Sequence, residues 1–127
     1  MLKSLQLGNS GLQVSRLCLG TMNFGVPGQG HQGDWTLDKG QSREIFRAAI
    51  EGGLYYFDCA DFYGLGACEE IVGSLLREML PRDEYVLSTK VAMPMGRNPN
   101  MSGLSRKHII EGMDRSLQRL GLDHVDQ

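Results

Sequence analysis

Leu5-Gln6-Leu7 and Leu12-Gln13-Val14 alternate apolar with polar residues on either side of the turn cluster Gly8-Asn9-Ser10-Gly11. That pattern predicts a short β-hairpin. Arg16 to Gly20 follows as a compact apolar strand. From Thr21 to Gly40 the chain is glycine-rich and loses all periodicity, so it reads as a long loop, and loops beyond about 12–15 residues are usually functional. Ser42 reads as the cap of a helix in which Ile45, Phe46, Ala49 and Ile50 fall at helical spacing and which Gly52-Gly53 ends. Leu54 to Asp58 is an aromatic-rich strand ending in a carboxylate. A helix from about Ala67 carries Ile71, Val72, Leu75, Leu76 and Met79 on one apolar face and stops at Pro81. Tyr85 to Lys90 predicts a third strand, again with a charge at its end. Val91 to Gly103 is a second long loop. Ser105 to Leu120 predicts an amphipathic helix through Ile109, Ile110, Met113 and Leu117, capped by Gly121, and Leu122 to Gln127 begins a further strand.

After the hairpin the order is therefore β-α-β-α-β-α and the start of a fourth strand. Strands alternating with helices imply right-handed crossovers and a parallel sheet. A doubly wound sheet and a (β/α)₈ barrel both fit this order. Both architectures place their chemistry at the C-terminal strand ends, which here carry Thr21-Met22, Asp58 and Lys90.

Composition narrows the function classes. Thirteen basic and fifteen acidic side chains give a net charge of −2, so no global field attracts nucleic acid or an anionic membrane. No apolar run is long enough to span a bilayer, and the N-terminus lacks the apolar core of a signal peptide. Cys18, Cys59 and Cys68 are odd in number and match no zinc spacing, which points to a reducing compartment and a cytoplasmic protein. His31, His108 and His124 are scattered with no cysteine at ligand spacing, so no metal is expected. Seventeen glycines in 127 residues exceed the average share of about 7% and predict many tight turns.

Gly28-Gln29-Gly30-His31-Gln32-Gly33 formally matches the dinucleotide fingerprint G-x-G-x-x-G. The fingerprint requires a strand directly before it and a helix opening on its last glycine. Neither is present, so these residues read as a plain glycine-rich loop.

The chemistry concentrates in Phe57-Asp58-Cys59-Ala60-Asp61-Phe62-Tyr63-Gly64. A carboxylate at a strand end, pointing into the mouth of the fold, needs a cationic partner, and Lys90 ends the next strand in the equivalent place. A tyrosine hydroxyl beside that ammonium would have its pKa lowered and become a proton donor for a carbonyl oxygen. The same residues also fit a structural salt bridge with Tyr63 as a rim aromatic. Trp35 fits a substrate mouth or a cover over the rim, and Met93, Met95 and Met101 fit adaptable substrate contact or loop packing.

Residues Phe57 to Gly73 resemble the signature of the aldo-keto reductase family, commonly F-D-T-A-x-x-Y-G-x-G-x-S-E-x-x-x-G. The resemblance extends to Leu7–Ser15, Leu19–Gly25, Ser88–Val91 and Ser116–Asp126, and its look is nearest to members that reduce aryl aldehydes. It implies the N-terminal part of a (β/α)₈ barrel that reduces aldehydes and ketones by hydride transfer from NADPH, so the chain reads as a partial domain over residues 1–127. Carried over, Tyr63 is the general acid, Lys90 lowers its pKa and Asp58 pairs with Lys90. Gly20, Thr21, Met22 and Asp58 lie on the cofactor. Cys59 and Cys68 stand where threonine and serine are usual, both small enough to leave the mechanism intact.

The family's catalytic histidine would fall about four residues beyond Gln127, and a whole barrel needs roughly 250 residues. The chain is therefore expected to be a fragment with unpaired strand edges, prone to self-association and inactive alone. Two other readings stand beside the reductase: a non-catalytic binding or regulatory protein on the same scaffold, and an inactive truncated product.

Overall fold

The structure is a computed structural model that describes residues 3–127. Two short strands, β1 (Ser4–Gln6) and β2 (Gln13–Ser15), pair antiparallel with Leu5 opposite Val14, which is the expected hairpin. Three parallel strands follow in consecutive order: β3 (Leu19–Gly20), β4 (Tyr56–Asp58) and β5 (Val86–Ser88). All are shorter than the alternation predicted. At Arg16-Leu17 the chain bends away from the sheet, where Ser15 Oγ donates to the Leu17 carbonyl and accepts the Tyr55 amide, so β3 is confined to two residues.

The register places Leu19, Phe57 and Leu87 side by side, and next to them Gly20, Asp58 and Ser88. Because successive side chains point to opposite faces, the first row goes to the helices and the second to the other face of the sheet. Phe57 and Leu87 are fully buried in the core with Phe46, Val72, Leu75, Leu76 and Leu120, and the Phe46 and Phe57 rings stack 5.2 Å apart.

Helix α1 (Lys39–Glu51) begins earlier than Ser42, with Asp38 as its cap. The reason is a capping box: Asp38 accepts the Gln41 amide while the Gln41 side chain accepts the Asp38 amide. Ser42 instead lies buried in the first turn, its hydroxyl donating to the Asp38 carbonyl. Helix α2 (Ala67–Met79) buries the predicted face, and Lys39 and Arg43 of α1 reach across to Glu78, holding its carboxyl down at about 2.

Helix α3 (Arg106–Leu120) has the predicted Ser105 cap and left-handed Gly121 stop, yet buries a different stripe. His108, Gly112, Ser116 and Leu120 face inward, while Ile109 and Ile110 are about two-fifths exposed. Small residues win because neighbouring groups come close: a β-carbon on Gly112 would sit 2.5 Å from Val91 Cγ2, and one on Gly73 of α2 would sit 2.2 Å from the Leu120 carbonyl oxygen of α3. The tail after α3 runs along β5, with the Asp126 and Gln127 amides donating to the Leu87 carbonyl and the Thr89 amide to that of Gln127. No strand forms there among the described residues, so the further strand expected over Leu122 to Gln127 is present only as these hydrogen bonds along β5.

The long loop after β3 is held by its own backbone bonds, Gly25 amide to Leu37 carbonyl and Leu37 amide to Asn23 carbonyl among them, and by one buried side chain. Buried Gln32 donates from Nε2 to the Met22 and Phe24 carbonyls and accepts the Val26 amide at Oε1. No helix opens on Gly33 and α1 begins only at Lys39, so the glycine motif is a turn-rich loop, as expected. Gly73→Ala would force α2 and α3 apart against backbone, which no rotamer change can relieve. It is expected to lose about 1–3 kcal/mol, read as a shift of the urea midpoint, and an unchanged midpoint would contradict the close packing.

Candidate active site at the strand ends

Asp58 closes β4 and is bonded to both neighbouring strands. Its main-chain oxygen accepts from the Thr21 amide at 3.1 Å and the Thr21 hydroxyl at 2.8 Å. Its carboxylate accepts from Ser88 Oγ at 2.6 Å and from Lys90 Nζ at 2.7 Å. Lys90 Nζ also donates to the Cys59 carbonyl at 2.7 Å and lies 5.2 Å from the centroid of the Tyr63 ring. Two of its three protons are thus engaged and it stays beside the tyrosine. Burial lowers the Lys90 pKa, but the Asp58 carboxylate and the Tyr63 hydroxyl outweigh this and raise it above the usual lysine value. The side chain therefore remains an ammonium throughout the neutral range.

Tyr63 enters from the turn that follows β4. Gly64 and Gly66 adopt positive φ there, and so does Leu65 at 51°. This left-handed run turns the chain straight into α2, leaving Tyr63 half-buried above the Lys90 side chain. Gln32 packs against Gly64, where a β-carbon would lie 2.3 Å from Oε1, so the loop after β3 and the Tyr63 turn are fitted to one another. His31 from that loop stacks on Phe62 with centroids 5.1 Å apart and meets the Tyr63 ring edge-on at 6.2 Å.

The sequence-predicted residues thus converge: Asp58, Lys90 and Tyr63 meet, with Gly20 and half-exposed Met22 at the neighbouring strand end. Thr21 is fully buried, and its hydroxyl is committed to the Asp58 carbonyl and to Cys68 Sγ at 3.3 Å. Its amide donates to the Asp58 carbonyl and its carbonyl accepts from the Phe24 amide and Cys68 Sγ, so Thr21, expected on the cofactor, is instead a buried support behind the strand end. Burial and the Asp58 charge push Cys18 up to about 11, and burial raises Cys59 well above the usual thiol value. Cys59 and Cys68 sit sulfur to sulfur at 3.6 Å inside the core.

Sequence reasoning passed over the support beneath the site. Glu69, fully buried in the first turn of α2, accepts from Thr89 Oγ1 at 2.6 Å and from Arg119 Nε at 2.7 Å. It ties α2 and α3 to the residue preceding Lys90. The signal was available: Glu69 lies at helical spacing with Val72, Gly73 and Leu76, so a charge there required a buried partner. Ser88, which shares Asp58 with Lys90, was missed because a serine in a strand carries no distinctive signal.

A parallel sheet backed by helices, with a lysine–carboxylate pair and a tyrosine at its carboxyl ends, fits the opening units of a (β/α)₈ barrel and of a doubly wound sheet alike. The family model of the aldo/keto reductases matches residues 16–127, and the chain belongs to that family. The solved aldo-keto reductase AKR11C1 of Bacillus halodurans, in its holo form, superposes on 99% of this chain and 39% of its own with a TM-score of 0.77 and 32% identity. Aldo-keto reductase YhdN of Bacillus subtilis is 35% identical over 120 residues, covering 94% of this chain and 35% of that protein. A probable voltage-gated potassium channel subunit beta of Oryza sativa is 40% identical over 122 residues, covering 94% of this chain and 34% of that protein. The chain thus spans about a third of the length of these relatives. The superposition resolves the choice between doubly wound sheet and barrel, because three consecutive strands occur in both.

Two predictions follow from the geometry. Glu69→Ala leaves Arg119 without its buried partner and is expected to cost about 3–5 kcal/mol, nearer the lower figure because Arg119 partly reaches water; an unchanged melting temperature would contradict it. Burial, then the Glu69 charge, raises the Asp61 pKa against the opposing Phe62 amide, Arg119 and His108. The folded chain therefore holds that proton where the unfolded chain has released it. Stability falls as pH rises from the ordinary aspartate value through the raised folded one. Asp61→Asn is expected to flatten a plot of melting temperature against pH across that window, and an equally steep plot would refute the assignment.

Proposed function

We propose that this chain is the N-terminal, proton-donating part of an NADPH-dependent reductase of aldehydes and ketones, active in the complete barrel. The observation that carries the reading is Lys90 Nζ, bonded at once to Asp58 and the Cys59 carbonyl and held 5.2 Å from the Tyr63 ring. Tyr63 carries the proton to be donated, and the ammonium is fixed over its ring. Tyr63 gives that proton to the carbonyl oxygen as the alkoxide forms, and Asp58 keeps Lys90 in place. The residues fit a nicotinamide cofactor. Gly20 is exposed with open space where a side chain would stand, and Met22 presents a half-exposed side chain beside it. When bound, NADPH supplies the hydride to the carbonyl carbon. Gly20, Met22 and Asp58 would hold its nicotinamide end, with buried Thr21 supporting them from behind.

A second reading, a binding or regulatory subunit on this scaffold, is favoured by the 40% identity to a protein named as a potassium channel subunit beta. The retained Asp58, Lys90 and Tyr63 side chains support the reductase. The unpaired edge of β3 and the outward Ile109 and Ile110 support self-association of the chain when it stands alone.

In the complete protein, Tyr63→Phe is expected to lower kcat for aldehyde reduction by about 10²–10⁴-fold, the usual contribution of a general acid, measured as NADPH consumption. Normal kcat in the variant would overturn the role of Tyr63. The 127-residue chain alone is expected to consume no NADPH; Tyr63-dependent consumption by the purified chain would show that it needs no further segment.

A further inference from the structure

Beneath the turn that carries Tyr63, two buried side chains present polar atoms that no protein group satisfies. Asp61 is 2% exposed and its Oδ2 has no hydrogen-bond partner; His108 of α3 is 1% exposed and neither ring nitrogen has one. Both line one cavity of about 150 Å³, walled otherwise by Leu65, Met95, Met101, Gly112, Arg115 and Arg119.

The chemistry of the wall selects the occupant. Among the described residues no group of three or more His, Cys, Asp or Glu is arranged to hold a metal ion, and the two arginines oppose a cation. An anion would face the Asp61 carboxylate. An apolar molecule would leave all three polar atoms unsatisfied, and buried polar atoms in folded proteins are nearly always bonded to protein or ordered water. Water is neutral, both donates and accepts, and is small enough to reach each of these buried atoms. Each molecule needs about 10–15 Å³ of such volume and two to four polar partners, so the cavity holds several.

The position gives this water a purpose. The Asp61 amide donates to the Lys90 carbonyl at 3.2 Å, and two residues later the Tyr63 amide donates to the Ala60 carbonyl at 3.3 Å. Asp61 is therefore bonded through its amide to Lys90, and its neighbour Ala60 to Tyr63, while the Asp61 side chain lines the cavity with α3. We propose that the cavity is a built water site in which ordered water bridges Asp61 Oδ2 to the His108 ring, and that the bridged pair positions the turn holding Tyr63. Asp61 and His108 are then positioning residues, and their consequence for catalysis rests on the reductase reading. The water site itself does not.

A high-resolution crystal structure of the protein is expected to show water within hydrogen-bond reach of Asp61 Oδ2 and one His108 nitrogen; a dry cavity would overturn the proposal without any variant. Amide hydrogen exchange tests the positioning role. His108→Leu is expected to speed exchange at the Asp61 amide by about tenfold, the loss of one hydrogen-bonded anchor, while the Phe57 and Leu87 amides keep their rates. His108→Gln, which still bonds to water, is expected to restore slow exchange. Equal rates in His108→Leu and the parent would refute positioning, and equally fast exchange in both variants would reduce His108 to a packing role. The activity of Tyr63→Phe bears on the reductase reading alone, so the two ideas fail separately.

Discussion

The end of β4 is joined to both of its neighbours through one residue. Asp58 accepts two hydrogen bonds from Thr21 at its main-chain oxygen and two from Ser88 and Lys90 at its carboxylate. A parallel ladder alone would align the three strands. Asp58 adds side-chain bonds that lock the alignment where the chemistry lies, and it orients Lys90 toward the following turn. A carboxylate half removed from water needs such donors, so the features that stabilise the strand ends are also those that arrange the site.

The site is supported from below by a second polar layer between the sheet and the helices. Glu69 binds Thr89 and Arg119, so the strand end that carries Lys90 is anchored to α2 and α3 together. Burying a charge in this place is costly unless geometry and pairing are good, and both oxygens of Glu69 are engaged. Gly73 and Gly112 allow the close approach that brings these groups within reach. The Gly112 contact is with Val91, one residue beyond Lys90. Helix packing and the position of the lysine are thus parts of one arrangement.

The loop after β3 is fastened to the site by one buried residue in addition to its own backbone bonds. Gln32 satisfies three backbone groups of the loop after β3 and fills the space next to Gly64, coupling that loop to the Tyr63 turn. The glycine-rich stretch that superficially matches a nucleotide fingerprint is fitted around an amide side chain. Its glycines serve tight turns, as the positive φ of Gly28 and Gly30 shows.

Much of this was legible in the chain itself. Periodicity placed three helices and the strand ends, and the spacing of Asp58, Tyr63 and Lys90 marked one site because local pattern and strand-end position are properties of short segments. The cap at Asp38 escaped notice because two helix-start signals lay four residues apart, and only the Gln41 side chain decided between them. The inward stripe of α3 was misjudged because hydrophobicity favoured Ile109 and Ile110. Packing distance favoured small residues, and distance between helices is not written in either one. Pairing of Glu69 with Arg119, the enclosure of Asp61 with His108 and the clasp of Gln32 join residues far apart in sequence. The sequence determined which chemical groups the chain carries and at which element ends they lie. Only the tertiary structure decided which meet, because burial and partner choice arise when separate elements close on one another.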